Sequence, residues 1–116
     1  MTTRECYEKL GEDYDAVVMR LGKEERVDKF FARLKDMPAY DELLAALDAG
    51  DYETAFRCSH DIKGLSANLG IDKFYKASSE LCETMRNGKP TVDISGMLEN
   101  VKSEYERLAG VLAELD

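Results

Sequence analysis

The sequence predicts an all-α protein: an antiparallel up-down-up-down four-helix bundle with an additional N-terminal helix. Three observations carry this. Apolar residues recur at i, i+3, i+4, i+7 in one stretch after another, and no stretch alternates with period two over strand length. Glycine or proline punctuates the chain between those stretches. Leu, Ala, Glu and Lys are abundant, and they are strong helix formers.

Residues 4–21 read as one helix, with Tyr7, Leu10, Tyr14, Val17, Val18 and Leu21 at helical spacing, Gly11 weakening its middle and Gly22 closing it. A second helix begins near Glu24 with Val27, Phe30, Phe31 and Leu34 on one face. Pro38 then either starts a new helix or kinks this one, because it lacks an N–H donor and clashes with the preceding turn. Leu43, Leu44 and Leu47 continue an apolar stripe beyond it. Gly50 suits a helix C′ position and Asp51 an N-cap, which sets the next helix at about 52–69. The short connection implies antiparallel neighbours. Gly70 ends that helix, and Asp72 can cap the one that follows. Residues 73–87 place Phe74, Ala77, Ser78, Leu81, Cys82 and Met85 together. Asn87-Gly88-Lys89-Pro90 is a break. The last helix, about 92–115, spaces Ile94, Leu98, Val101, Tyr105, Leu108, Leu112 and Leu115 alternately four and three apart, the pattern of a bundle seam.

At 116 residues, positions 1–116 make a single domain with one ordinary core. The formal charge of −8 disfavours nucleic acid, whose phosphates call for a surplus of Lys and Arg, and equally an anionic membrane surface. No apolar run approaches the roughly 20 residues of a spanning helix, and the first residues lack the apolar core of a signal peptide. The expectation is a cytoplasmic monomer. Cys6, Cys58 and Cys82 are widely spaced with no C-x-x-C pair, which suggests neither a disulfide framework nor a metal site; Cys58 and Cys82 fall on apolar stripes and read as buried reduced thiols.

The single histidine, His60, lies in the stretch Asp51–Gly70. With His60 at zero on a helical wheel, Leu65, Cys58, Leu69, Ile62 and Ala55 fall at about 140–220°, so the apolar stripe lies opposite the imidazole. Phe56, Arg57, Lys63, Gly64 and Ala67 fall within about 60° of it. Burial of the stripe holds His60 in solvent, between two cations. Gly64 costs the helix close to 1 kcal/mol relative to Ala, and close approach of a partner to His60 would account for it. A metal site lacks further ligands at suitable spacing. Cys58 and Ser59 point elsewhere on the helix, away from a nucleophile–histidine pair. The imidazole itself remains as a nucleophile toward a phosphoryl group, with neighbouring cations to stabilise the product. The bland alternative is a surface histidine with no role.

The run His60-Asp61-Ile62-Lys63-Gly64-Leu65-Ser66-Ala67-Asn68-Leu69-Gly70 resembles the signature of histidine phosphotransfer (HPt) domains: H-x-x-K-G, a small residue, then L-G. The resemblance implies a bundle with the histidine exposed midway along its second helix. It implies that His60 accepts a phosphoryl group from the aspartate of one receiver domain and passes it to another. It further implies that Lys63 holds the phosphoryl oxygens and that Gly64 clears space for the receiver's loops. Phe56, Arg57 and Ala67 would then form the docking patch beside the nucleophile. The implied partners are response-regulator receiver domains, free or within a hybrid histidine kinase, and these supply Mg²⁺ and the acceptor carboxylate. The chain itself would be a stoichiometric phosphocarrier with no cofactor or ATP site; it has no glycine-rich phosphate loop. Ser59-His60-Asp61-Ile62-Lys63 is also similar to the H-box of histidine-kinase dimerisation domains, but Leu65 stands where that motif has proline and Gly64 is foreign to it. A degenerate kinase phosphotransfer domain and a helical adaptor without phosphohistidine are the alternatives.

Overall fold

A computed structural model describes all residues, 1–116. The chain is helical, with no β-strand: α1 (Thr3–Leu10), α2 (Tyr14–Leu21), α3 (Glu24–Ala32), a 3₁₀ turn (Arg33–Lys35), α4 (Pro38–Asp48), α5 (Tyr52–Asn68), α6 (Asp72–Thr84) and α7 (Ser95–Leu112).

The expected helix over 4–21 is two helices. Gly11 adopts left-handed backbone, φ +72°, and ends α1 rather than weakening it. Its N–H and that of Glu12 donate to the Glu8 and Tyr7 carbonyls at 3.0 and 2.9 Å. Asp13 then caps α2 by accepting from the Ala16 N–H at 3.1 Å. The break frees the Leu10 carbonyl, which accepts from Lys73 Nζ and from Arg107 Nη1, both at 3.1 Å, and so ties α1 to α6 and α7. Glu12, beside the break, accepts from the Lys73 N–H at 3.0 Å. That bond corrects a second expectation. Asp72 does not cap α6 but occupies its first turn behind Ile71, and a carboxylate from a distant segment satisfies the helix start.

Pro38 starts α4 at its first turn, where a missing N–H costs nothing, and the 3₁₀ turn ends the preceding segment. Asp51 caps α5, accepting from the Thr54 N–H at 3.1 Å, as the sequence suggests. The final helix begins at Ser95, later than expected, because Asp93 accepts from the Ser95 N–H at 2.9 Å and fixes the entry there. All three cysteines are buried free thiols, as expected for Cys58 and Cys82.

The core is one cluster in which α5 packs between α4 and α6, and α6 packs against α7. Tyr40 of α4 and Tyr105 of α7 stack at 3.6 Å between ring centroids, a side-chain contact between the two helices. Tyr7 carries the packing toward the N-terminal helices through Phe31 at 5.1 Å and Tyr14 at 5.4 Å. The C-terminal end of α5 is clamped by α1 and α2. The buried Tyr7 hydroxyl donates to the Leu69 carbonyl, and Arg20 Nη2 donates to the Ala67 and Asn68 carbonyls at 2.9 Å each. Gly70 closes the clamp: its φ is +63°, and a Cβ there would lie 2.5 Å from Val17 Cγ2.

Gly50, at φ +71° with open space around it, is the control for that close approach. Left-handed backbone costs a non-glycine residue about 1–2 kcal/mol, and overpacking adds about 1–3 kcal/mol. In urea unfolding Gly50→Ala is expected to lose about 1 kcal/mol and Gly70→Ala at least about 2 kcal/mol. Equal losses would mean that the Val17 contact relaxes without resistance.

Candidate functional site

The rotation of α5 decides what reaches solvent. Its buried residues are Ala55, Cys58, Ser59, Ile62 and Ser66, followed by Leu69 just beyond the helix. With His60 at zero these occupy about 160–260°, centred near 210°. The buried face therefore includes two serines that an apolar stripe omits. Each satisfies its hydroxyl within the helix, Ser59 on the Phe56 carbonyl at 3.0 Å and Ser66 on the Ile62 carbonyl, so each buries as a small residue. Leu65, expected in the stripe at about 140°, lies outside this sector and is 42% exposed. It lines an apolar groove of ≈ 490 Å³ with Leu21, Phe30, Leu34 and Leu69.

His60 is exposed near the middle of α5, as expected, and forms a ridge between two shallow grooves. On one side it shares a groove with Glu53, Phe56, Arg57 and Arg86. On the other it faces the Asp36–Ala39 segment, which leads into α4, together with Asp61 and Gly64. Phe56 is half-buried against the core, and its ring centroid stands 6.0 Å from the imidazole's. Arg86 covers the same ring, its Cζ 5.6 Å from the centroid, within cation–π range. Gly64 is exposed, and nothing lies within 4 Å of where its Cβ would be. Arg57 is exposed at the rim. Ala67 is exposed and, like Lys63, lines neither groove.

Lys63 is not a free cation. Its side chain is only 24% exposed, and Nζ sits 3.7 Å from Glu83 Oε1 of α6. The same carboxylate takes Arg86 in a fork, Nη2 on Oε1 at 2.6 Å and Nε on Oε2 at 3.1 Å. The Arg86 hydrogen bonds hold the Glu83 carboxyl below its usual range, with the Lys63 charge adding to the effect. Sequence reasoning missed Glu83 and Arg86. Their signal lies in the α5–α6 hairpin, since Phe56 and Arg86 are equally distant from Ile71 at the turn between the helices.

The fold thus holds the single imidazole in solvent, on a helix whose other face is core. Residues 25–113 match the family model of the Hpt domain, a span running from α3 through α7. The chain belongs to the Hpt domain family. No curated protein and no solved structure matches it significantly. Hpt domains serve histidine phosphotransfer in phosphorelays as carriers rather than enzymes, and they interact with response-regulator receiver domains. No helix of the chain is long and apolar enough to cross a membrane.

Because the space around Gly64 is open and its backbone helical, Gly64→Ala is expected to raise stability in thermal or urea unfolding by about 0.5–1 kcal/mol. A loss of stability instead would assign the glycine to packing within the fold.

Proposed function

We propose that this protein is a stoichiometric phosphocarrier, residues 1–116 forming a single domain, in which His60 takes a phosphoryl group from one receiver aspartate and gives it to another. One observation carries the reading. The only histidine stands exposed midway along α5, within the span that matches the family, beside a glycine that the fold does not require. In the forward step an unprotonated ring nitrogen attacks phosphorus. The N–P bond forms as the acyl O–P bond breaks, and the electron pair stays on the receiver's carboxylate. The return step reverses this on the second receiver. Such transfer needs positioning and charge stabilisation more than covalent chemistry from the protein. Lys63 supplies charge to the phosphoryl oxygens, and Gly64 lets the receiver's backbone come close. Phe56 and Arg57 belong to the docking face, with Ala67 at its edge, and Mg²⁺ belongs to the receiver. Helices α4–α7 constitute the antiparallel bundle, with α1–α3 as the N-terminal addition. The reading includes a cytoplasmic, monomeric state and no ATP site.

Incubation with a phosphorylated receiver is expected to label His60 with an acid-labile, alkali-stable phosphate that His60→Ala and His60→Gln both lose. Full labelling of the alanine variant would refute the reading, and labelling by ATP alone would favour a kinase domain. Lys63→Ala is expected to shorten the phosphohistidine lifetime, since a charge-assisted hydrogen bond contributes about 1.5–3 kcal/mol. Its thermal stability should stay within about 0.5 kcal/mol of wild type, because the 3.7 Å contact to Glu83 is weak and Arg86 still compensates that carboxylate. Gly64→Gln should depress transfer tenfold or more while leaving the fold equally or more stable. Wild-type transfer by that variant would mean that no partner approaches this face closely.

A further inference from the structure

Two cations near His60 share one counter-ion, and they share it unequally. Arg86 binds Glu83 through two hydrogen bonds at 2.6 and 3.1 Å, whereas Lys63 reaches only to 3.7 Å. A fork of this kind fixes the carboxylate in place, while a single ammonium contact beyond hydrogen-bond length leaves the lysine easily drawn away. Loss of Lys63 from the pair would leave Glu83 still compensated by Arg86, so no isolated charge results. Both side chains of the Glu83–Arg86 pair are about half exposed, which makes the cluster a poor stabiliser of the fold. Its arrangement calls for another explanation. Glu83 lies on α6 and Lys63 on α5, one turn from His60, so the carboxylate draws the ammonium toward the neighbouring helix.

We propose that Glu83 is a positioning residue that parks Lys63 against α6 while His60 is unmodified and releases it to the phosphoryl group once the N–P bond has formed, with Arg86 retaining the carboxylate. This rests on His60 being the phospho-acceptor. The exchange breaks no covalent bond: Lys63 trades a carboxylate oxygen for a phosphoryl oxygen and keeps all its protons. Glu83 thereby competes with the phosphoryl group for Lys63 and lowers the share of phosphate held on His60 at equilibrium with the receiver. A carrier tuned in this way hands its phosphate on more readily than one whose lysine has no competitor.

The test measures the phosphoryl-exchange equilibrium between phosphorylated receiver and full-length protein, together with the phosphohistidine lifetime, in wild type, Glu83→Gln, Lys63→Gln and the double variant. Glu83→Gln is expected to shift the equilibrium toward His60 and to lengthen the lifetime, each threefold or more. In the Lys63→Gln background the same substitution should change neither. A wild-type equilibrium and lifetime in Glu83→Gln would overturn the proposal. So would an equal shift with and without Lys63, since Glu83 would then act only as a nearby negative charge. Absence of label from wild-type His60 would instead remove the phospho-acceptor reading on which the proposal depends. Unfolding curves of Glu83→Gln that overlay wild type would exclude a merely structural origin of the shift.

Discussion

Everything in this molecule depends on fixing the rotation and the axial position of α5. A helix turns about 100° per residue, so a one-residue slip would carry His60 from solvent toward a neighbouring helix. Rotation is fixed by the buried residues from Ala55 to Leu69, four of which are Ala, Ser or Cys. Small side chains let α4 and α6 lie close on either side while Ile62 and Leu69 reach into the core between them. Axial position is fixed at the end of the helix. Gly70 admits Val17 at a distance that no side chain would allow, and Tyr7 and Arg20 take the last carbonyls. The residues that do this clamping, on α1 and α2, precede the span that matches the family. The N-terminal helices therefore contribute to the histidine's placement without lying beside it.

Local signals made much of this legible in the sequence. The Gly50–Asp51 junction, the end at Gly70, the buried face of α6 and the outward direction of His60 all follow from capping chemistry and a 3.6-residue period. What escaped depends on distant partners. Gly11 breaks the first helix because the freed Leu10 carbonyl finds Lys73 and Arg107, and because Glu12 finds the start of α6. No window around residue 11 contains those groups. Leu65 escaped for a different reason. An apolar wheel counts hydrophobic side chains, yet Ser59 and Ser66 satisfy their own hydroxyls and bury, which moves the centre of the hidden face about 30° away from Leu65.

The same limit governs the site's electrostatics. On the wheel Arg57 and Lys63 are symmetric, about 60° on either side of the imidazole. In the fold they are not equivalent. Lys63 faces α6 and meets Glu83, whereas Arg57 remains exposed at the edge of the Phe56 groove. Net charge conveys none of this. A chain at −8 still places Arg57 and Arg86 in the groove that His60 lines, and Lys63 beside Glu83, because the hairpin brings the end of α6 back beside the start of α5.

The helix propensity of Gly64 alone marks it as costly, and the open space at its Cβ removes packing as the reason for the cost. Openness by itself is not a signature, since Gly96 and Gly110 on α7 have equally free surroundings. Those two lie in the first and last turns of α7, where a glycine weakens the helix least. Gly64 has a full turn of α5 after it and forms part of the groove wall beside His60, facing Asp36–Ala39. A side chain there would fill the approach to the imidazole without touching the protein's own core. The open space at residue 64 thus leaves the approach to His60 clear, as the proposed docking of a receiver requires.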